Sequence, residues 1–316
     1  MALVGVPAVP GARRAAARLG PVSTLRIGLA QLAPRLGDVA ANVALHRDWI
    51  ARALDQQVDL LVFPELGLTG YLLQDLNAEV AMPADDARLA ELAAAAGQMS
   101  AVVGFVEEAA DHRLFISAAL LEGGQVAHVV RKAYLPNYGL FDEQRFFAAG
   151  DRVAAIDSRL GVRLGLSICE DFWHLPVPLV HALDGAQLLV NISSSPGRDV
   201  SATVEGGLGT AGSWQALLRT YAMLTGCHVV FVNRVGVEES ITFWGGSEVL
   251  DPSGRTVLRA PLHEEGLFVA EMDRAEVRRQ RVATPLLRDE RPEMVARQLE
   301  RLIRQRAGTA EEEPPE

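Results

Sequence analysis

Residues 59–65 read DLLVFPE, in which an apolar run of β-prone residues gives way at once to Pro64 and Glu65. A strand without polar alternation is typical of a sheet whose two faces are both covered. The stretch therefore predicts a buried strand, and it predicts that the Glu65 carboxylate lies where that strand ends.

Strands and helices alternate on both sides of this run, and the order β-α-β occurs in both halves of the chain, although no clean sequence repeat links them. Asp38 is a plausible N-cap for a helix whose apolar residues follow at helical spacing, and Gly123-Gly124 is typical of a hairpin turn. The pattern predicts an α/β domain. The predicted strands are residues 25–32, 59–63, 101–106, 113–121, 125–131, 162–168, 187–192, 228–233, 247–250, 256–259 and 266–271, and the predicted helices are residues 38–56, 84–99, 176–183 and 213–225.

The chain of 316 residues is long enough to bury a full core, and no internal Pro/Ser/Gly-rich linker divides it, so one main domain is predicted over residues 24–272. Residues 1–23 are predicted to form a flexible N-terminal extension. The charged residues 273–306 are predicted to form a helical C-terminal arm, and residues 307–316 a disordered acidic tail.

Charge and composition exclude several classes of function. The net charge of −10 argues against a role that depends on phosphate contacts with nucleic acid. No apolar run reaches the roughly 18 residues of a membrane span, and two distant Cys residues are typical of a reducing compartment, so a cytoplasmic protein is predicted. The seven His residues lack metal-ligand spacing, so no metal site is expected.

Lys132 is the only Lys among 30 basic residues, and it directly follows a predicted strand. Glu65 and Cys169 stand at the ends of two other predicted strands, where α/β enzymes collect their functional groups. Each residue alone has an ordinary explanation: a turn cap for the Glu, compositional drift for the Lys and a small buried side chain for the Cys. Together they supply a base, a cation for developing negative charge and a nucleophile, which is the set needed for acyl transfer through a thioester. This thioester chemistry needs no cofactor, so none is expected.

The same three places resemble the motifs of the nitrilase, or carbon–nitrogen hydrolase, superfamily. The matching stretches are FPELGLTGY with Glu65, RKAYLPNYGLFDEQRFF with Lys132 and LSICEDFW with Cys169. The resemblance spans about residues 25–271, and it implies an α/β fold, a four-layer α-β-β-α sandwich of two mostly parallel or mixed sheets. It also implies that residues 24–272 form a hydrolase domain whose Glu-Lys-Cys triad cleaves a non-peptide carbon–nitrogen bond.

Within this superfamily the chain is most similar to the glutaminase domain of glutamine-dependent NAD synthetases, chiefly through KAYLPNYGLFDEQRFF. The resemblance implies that Glu143 positions Lys132 and assists the base. It further implies that a small amide substrate is held by Tyr71, Tyr138, Glu170, Trp173 and Ser195. No Gly/Ser-rich phosphate loop follows downstream, so the chain is not expected to make NAD alone.

The substrate and its acceptor stay open. Arg198 is the only cation shortly after Ser195, where those glutaminases commonly carry a Lys. The prediction is hydrolysis of an amide through a thioester on Cys169, in a protein that is expected to form homo-oligomers because family members commonly do. Three alternatives remain: a nitrilase or acyltransferase of the same fold, a glutaminase subunit that supplies ammonia to a separate synthetase partner, and a catalytically silent binding protein.

Residues 207–212 read GLGTAG and match a dinucleotide-binding pattern, G-x-G-x-x-G. Such a turn must follow its strand directly, whereas the nearest predicted strand ends near residue 192. A loop beside the active site is predicted instead. His174, five residues after Cys169, is predicted to be only a neighbour of the site, because Glu65 and Lys132 already fill the roles of base and cation.

Overall fold

Two six-stranded β-sheets dominate the computed structural model, which describes residues 24–197 and 209–306. The strands along the chain are β1 (Thr24–Gln31), β2 (Leu60–Val62), β3 (Ser100–Glu108), β4 (Leu114–Glu122), β5 (Gln125–Arg131), β6 (Ile156–Asp157), β7 (Arg163–Ile168), β8 (Leu188–Ser193), β9 (His228–Asn233), β10 (Val235–Glu238), β11 (Ile241–Trp244), β12 (Glu248–Leu250), β13 (Thr256–Arg259) and β14 (Gly266–Asp273). The helices are α1 (Val39–Asp55), α2 (Asn77–Val80), α3 (Ala87–Ala96), α4 (Pro176–Leu183), α5 (Gly209–Thr225), α6 (Ala275–Ala283), α7 (Leu286–Asp289) and α8 (Pro292–Arg306).

Each sheet has parallel strands at its centre and antiparallel strands at its edges. The first has the order β14-β1-β2-β3-β4-β5, and the second has the order β13-β12-β9-β8-β7-β6. Strands β1, β2 and β3 are parallel in the first, as are β7, β8 and β9 in the second. Two antiparallel pairings, β3 with β4 and β4 with β5, reverse the direction twice. The carboxyl ends of β2 and β5 therefore lie at the same edge of the first sheet.

The side chains of β2 show how the layers stack. Leu60 and Val62 belong to the core between the two sheets, whereas Leu61 belongs to the core that the first sheet shares with α1 and α3. This alternation follows from the two-residue period of a strand. On the far side, α4 packs on β7 and α5 packs on β9. The predicted α/β sandwich of four layers with two mixed sheets is confirmed.

Local signals explain where several elements begin and turn. The Asp38 carboxylate accepts a 3.1 Å hydrogen bond from the Ala41 N–H and caps α1, as predicted. Gly123 and Gly124 adopt φ angles of 60° and 79° in the predicted β4–β5 turn, a conformation that favours Gly. Pro176 opens α4 at a position where its missing N–H costs nothing.

Two differences from the prediction affect the surroundings of the site. The loop predicted over residues 207–212 is wrong in its described part, because residues 209–212 lie in α5; residues 207–208 lie outside the described residues. Trp214 and Leu218 of α5 are buried, and this packing outweighs the weak helix propensity of Gly. The β10–β11 hairpin has no recognisable sequence signal, because its strands have only four residues each and its turn, Glu239-Ser240, lacks the usual Gly.

Three helices, α6, α7 and α8, follow the last strand, and α8 has no buried residue. The predicted N-terminal extension (residues 1–23), the predicted acidic tail (residues 307–316) and Arg198 lie outside the described residues. Helix α3 is shorter than the predicted helix over residues 84–99. In the described part of the chain, no helix is long and apolar enough to cross a membrane.

Candidate active site

Three strand ends bring Glu65, Lys132 and Cys169 together. Glu65 follows β2 by three residues, Lys132 directly follows β5, and Cys169 directly follows β7 of the second sheet. The Lys132 ammonium donates a 2.7 Å hydrogen bond to Glu65 Oε1, and the charges of both residues act on the Cys169 thiol. The structure therefore places a carboxylate, an amine and a thiol at one edge of the stacked sheets.

Lys132 lies between two carboxylates. Its Nζ donates to Glu65 Oε1 at 2.7 Å and to Glu143 Oε1 at 2.8 Å. Only 1% of the surface of Lys132 is exposed. Burial lowers the pKa of Lys132, but the negative charges of Glu143 and Glu65 outweigh it and raise that pKa well above its usual value. The buried amine is therefore held in its cationic form.

Glu143 is the second carboxylate that holds Lys132. Its Oε1 accepts from Lys132 and also from the Tyr71 hydroxyl, at 2.6 Å. Burial raises the pKa of Glu143 to about 7, against the lowering effects of Lys132 and of the Tyr71 hydrogen bond. The Tyr71 backbone is itself fixed, because its N–H and that of Leu72 donate to Glu238 Oε2 at 3.0 and 2.9 Å. The unpredicted β10–β11 hairpin supplies Glu238, which also pairs with buried Arg234.

Glu65 is fixed by Ser194, which directly follows β8 of the second sheet and was not predicted to have a role. The Ser194 N–H donates to Glu65 Oε2 at 2.7 Å, and the Ser194 hydroxyl donates to the Glu65 carbonyl at 2.8 Å. Gly104 in β3 allows the Glu65 segment to approach. A Cβ on Gly104 would lie 2.6 Å from both Leu66 N and Pro64 O. Only Gly therefore lets this segment rest directly on the strand.

Cys169 begins a short 3-10 turn, Cys169–Trp173, with a φ of 45°, in the left-handed region that side chains other than Gly rarely adopt. Such backbone strain is common at functional sites. Burial and then the charge of Glu65 raise the pKa of the Cys169 thiol well above its usual value, although Lys132 opposes them. The thiol is therefore protonated at rest, and it needs a base when it reacts.

Asp171, two residues after Cys169, links the two sheets and was not predicted to have a role. Its Oδ1 accepts from the Ala133 and Tyr134 N–H groups at 3.0 Å each, and its Oδ2 accepts from the Ile168 N–H at 2.9 Å. Burial raises the pKa of Asp171 to about 6 despite these three donors. The sequence shows only an acidic residue two positions after Cys169, which gives no sign of these contacts.

Four of the five predicted substrate-binding residues line a cavity of about 250 Å³ into which Cys169 also opens. They are Tyr138, Glu170, Trp173 and Ser195. The Tyr138 hydroxyl donates to Glu170 at 3.0 Å, and burial raises the pKa of the Glu170 carboxyl. The fifth, Tyr71, lies elsewhere: its hydroxyl contacts Glu143, and together they line a neighbouring cavity of about 230 Å³.

Aromatic side chains form the walls of the Cys169 cavity. Trp173 and Trp214 meet edge to face, with ring centroids 5.2 Å apart. The Ser195 hydroxyl oxygen accepts from the Trp214 and Trp244 indole N–H groups at 2.9 and 3.3 Å. These bonds occupy the acceptor side of the hydroxyl and leave its hydrogen able to donate to a bound molecule.

The remaining polar neighbours do not form a metal site. Within residues 24–197 and 209–306, no group of three or more His, Cys, Asp or Glu residues has a geometry that could hold a metal ion. His174 stacks on Tyr134 at 3.6 Å between ring centroids, and its Nε2 lies 3.7 Å from Glu170 Oε1. His174 is thus a neighbour of Glu170.

The chain matches known families along most of its length. Residues 26–282 match the family model described as carbon–nitrogen hydrolase. The chain is 32% identical over 263 residues to a glutamine-dependent NAD(+) synthetase of Thermotoga maritima, a match that covers 79% of this chain and 42% of the relative. A synthetase of the same name from Acinetobacter baylyi is 30% identical over 80% of this chain and 45% of its own length. The chain thus spans less than half the length of these curated relatives.

Two solved structures are also similar over nearly the whole of their chains. A carbon–nitrogen hydrolase from Helicobacter pylori aligns with a TM-score of 0.78 at 26% identity and covers 88% of this chain and 99% of that chain. An amidase from Nesterenkonia aligns with a TM-score of 0.71 at 28% identity and covers 86% of this chain and 95% of that chain. The chain therefore belongs to the carbon–nitrogen hydrolase family of the nitrilase superfamily, and it is an enzyme of the carbon–nitrogen hydrolase type.

Proposed function

We propose that the chain hydrolyses a small non-peptide amide in two steps, through a thioester on Cys169. The observation that carries this proposal is the buried chain of contacts from Glu65 to Lys132 to Glu143, beside a thiol that opens into a cavity. A base, a fixed cation and a nucleophile at one place form the set that acyl transfer requires.

In the first step, Glu65 takes the proton from the Cys169 thiol as the sulfur attacks the amide carbonyl carbon. This role for Glu65 follows from the protonated resting state of the thiol, since a protonated sulfur is a poor nucleophile. The C–N bond then breaks, and the amide nitrogen leaves as ammonia or an amine after receiving the same proton from Glu65. The products of this step are a thioester on Cys169 and the free nitrogen compound.

Lys132 stabilises the negative charge that develops on the carbonyl oxygen in this step, together with the backbone N–H of Glu170. The two carboxylates that contact Lys132 hold its amine in place before substrate binds, so no rearrangement is needed during the reaction. Each preorganised donor of this kind contributes about 3 kcal/mol to transition-state stabilisation. We assign Glu143 the role of holding Lys132.

In the second step, water attacks the thioester carbon while Glu65 takes a proton from that water. The C–S bond breaks, the sulfur recovers a proton from Glu65, and the carboxylic acid is released. The enzyme returns to its starting state, and the balance of both steps is an amide plus water giving an acid plus ammonia or an amine. No cofactor enters this balance.

The lining of the cavity supports a substrate with a polar or cationic end away from the amide. Glu170, held by Tyr138, presents a carboxylate there, and Ser195 retains a hydroxyl hydrogen that can donate. Trp173 forms an aromatic wall of the cavity.

A second candidate function is a glutaminase that supplies ammonia to a separate synthetase. The similarity to proteins named glutamine-dependent NAD(+) synthetases favours it. The predicted cytoplasmic location, homo-oligomer and domain limits stay predictions.

Ammonia release from purified protein tests the proposal. The panel comprises glutamine, other ω-amides, carbamoyl amines and small nitriles, each with the wild type, Cys169→Ala and Cys227→Ala; Cys227 is buried and belongs to the core that includes the second sheet. We expect at least one amide to release ammonia with the wild type and Cys227→Ala but not with Cys169→Ala, and mass spectrometry to detect an acyl group on Cys169. Labelled water should enter the acid product if hydrolysis, rather than acyl transfer, is the reaction. Equal turnover by Cys169→Ala, or no turnover of any amide, contradicts the proposal, and turnover of a nitrile alone would identify a nitrilase instead.

A further inference from the structure

We propose that Asp171 is a positioning residue, which ties the strand end that carries Lys132 to the strand end that carries Cys169. This inference rests on the proposed function only for its kinetic readout. The geometry itself concerns how two different sheets are joined at the point where the reactive groups meet.

The contacts of Asp171 reach both strand ends. Ala133 and Tyr134 directly follow Lys132, and their two N–H groups donate to Asp171 Oδ1. Ile168 directly precedes Cys169, and its N–H donates to Asp171 Oδ2. One carboxylate therefore fixes the backbone on the carboxyl side of the lysine and on the amino side of the nucleophile.

These bonds exceed what a local turn needs. The Ile168 bond closes the short turn of Asp171 itself, but the other two donors lie 37 and 38 residues away in the sequence. They belong to the segment after β5 of the first sheet, whereas Asp171 follows β7 of the second. No strand pairing joins β5 to β7, so the side chain of Asp171 supplies hydrogen bonds between these strand ends that strand pairing does not provide.

The chemical identity of the side chain matters at this position. Asp171 is only 3% exposed, and a buried carboxylate is costly unless its oxygens are hydrogen-bonded. Three backbone donors need acceptors on both oxygens. An Asn has one acceptor oxygen, and its amide group would place N–H against N–H on the other side. Asp171→Asn therefore releases at least one of the two strand ends.

Asp251 offers a matched control. It is similarly buried, at 5% exposure, and its Oδ1 accepts from the Ser253 and Arg255 N–H groups at 2.9 and 3.1 Å. All of these contacts lie within one turn between β12 and β13. Asp251→Asn keeps one oxygen for these two N–H groups and loses the 2.8 Å bond that Arg255 Nε donates to Oδ2. It therefore neutralises a buried carboxylate without loosening the connection between the sheets.

The experiment compares Asp171→Asn with Asp251→Asn at a temperature at which circular dichroism shows both to be folded. With an amide that the wild type hydrolyses, we expect Asp171→Asn to lower kcat about 100-fold, as a displacement near 1 Å of a reacting group does, and to change KM less than about threefold. Asp251→Asn should lower the melting temperature and leave kcat near the wild-type value. A kcat near wild type for Asp171→Asn, or equal losses in both variants, overturns the inference.

Two further experiments cover a variant that does not fold and a wild type that hydrolyses no amide. If Asp171→Asn yields no folded protein, Asp171→Glu retains the charge and both oxygens but adds a methylene group. It should then lower kcat at least about tenfold with KM unchanged, because one strand end must move; a wild-type kcat would overturn the inference. If the wild type hydrolyses no amide, the proposed function fails, and alkylation of Cys169 by chloroacetamide still tests the geometry. Slower alkylation is expected in Asp171→Asn than in Asp251→Asn, and equal rates count against a positioning role.

Discussion

Glu65 and Lys132 form a buried 2.7 Å ion pair although the strands that carry them, β2 and β5, are separated in the sheet by β3 and β4. They meet because the Glu65 segment rests on β3 at Gly104, and the Lys132 side chain reaches it from the end of β5, the outermost strand of the sheet. A buried pair of this kind holds its geometry tightly, and removing one partner costs roughly 3–5 kcal/mol because the other charge is left unpaired. The ion pair therefore fixes the base and the cation relative to one another.

We expect Lys132→Arg to lower kcat strongly without unfolding the protein. The planar guanidinium keeps the charge, but it is larger than an ammonium and does not fit between two carboxylates and a thiol. Loss of one oxyanion donor predicts a fall in kcat of about 100- to 1000-fold. The neighbouring Arg131→Lys, whose side chain pairs with Glu107 at a partly exposed position, should retain turnover. A kcat for Lys132→Arg within threefold of wild type contradicts the assigned role.

We expect Gly104→Ala to reduce activity by displacing the Glu65 segment. The new Cβ would stand 2.6 Å from backbone atoms of Pro64 and Leu66, so the segment must move. A displacement near 1 Å predicts about a 100-fold lower kcat. In Gly212→Ala, a Cβ meets nothing within 4 Å on α5, so kcat should be unchanged and stability should rise by about 0.5–1 kcal/mol. Similar kinetics for both variants would show that the contact at Gly104 has no catalytic consequence.

We expect Tyr71→Phe to shift the acid limb of the kcat profile to higher pH. The Tyr71 hydroxyl donates to ionised Glu143 and lowers the pKa of that carboxyl, so its loss raises the pKa further above 7. Lys132 then loses a charged partner at a higher pH than in the wild type. A hydrogen bond of about 1 kcal/mol corresponds to a shift of roughly 0.5 to 1 pH unit. Tyr221→Phe, which removes a hydroxyl bonded to the Phe172 carbonyl, is the control and should leave the profile in place. A downward shift, or none, in Tyr71→Phe counts against this account.

We expect Glu170→Gln to separate substrates with a cationic end from neutral ones. Glutamine carries an ammonium group at the end away from its amide, whereas butyramide has a similar length and no charge. A hydrogen bond to a charged group is worth about 1.5–3 kcal/mol, so kcat/KM for glutamine should fall about 10- to 100-fold. The value for butyramide, if it is a substrate, should change less than about threefold. Parallel losses for both amides would show that Glu170 does not recognise charge.

The strand ends were predictable because their signals are local. An apolar run that stops at Pro64 and Glu65, and a sole Lys after another such run, predict both the strands and the groups at their ends. The motifs around these residues indicated the superfamily, and the superfamily implied the four-layer sandwich. Glu143 and the cavity residues Tyr138, Glu170, Trp173 and Ser195 were named through resemblance, since their spacing alone implies no chemistry.

Residues that act across the sheets were not predictable from sequence. Ser194 and Asp171 matter because of which segment of the other sheet faces them, and that depends on how the two sheets stack. Gly104 matters because the Glu65 segment rests on it within the first sheet, which no local pattern reveals. The role of the β10–β11 hairpin was unpredictable for the same reason. Its Glu238 matters because it accepts hydrogen bonds from the Tyr71 backbone, and no pattern in the two strands indicates that contact. Residues 209–212 of the GLGTAG stretch show the reverse case. Their local pattern predicted a loop, but packing of α5 makes them helical.

The Ser194 bonds to Glu65 have a consequence for folding. They join residues 129 positions apart in the sequence and connect two sheets, each of which has its own strand pairing. Contacts of such long range form late, after the entropy of closing a large loop has been lost. A newly made chain with both sheets formed but not yet docked would therefore hold its base and its thiol far apart. Hydrolytic activity should appear only with the final docking of the sheets, so that recovery of turnover during refolding reports this last step and not the formation of strands.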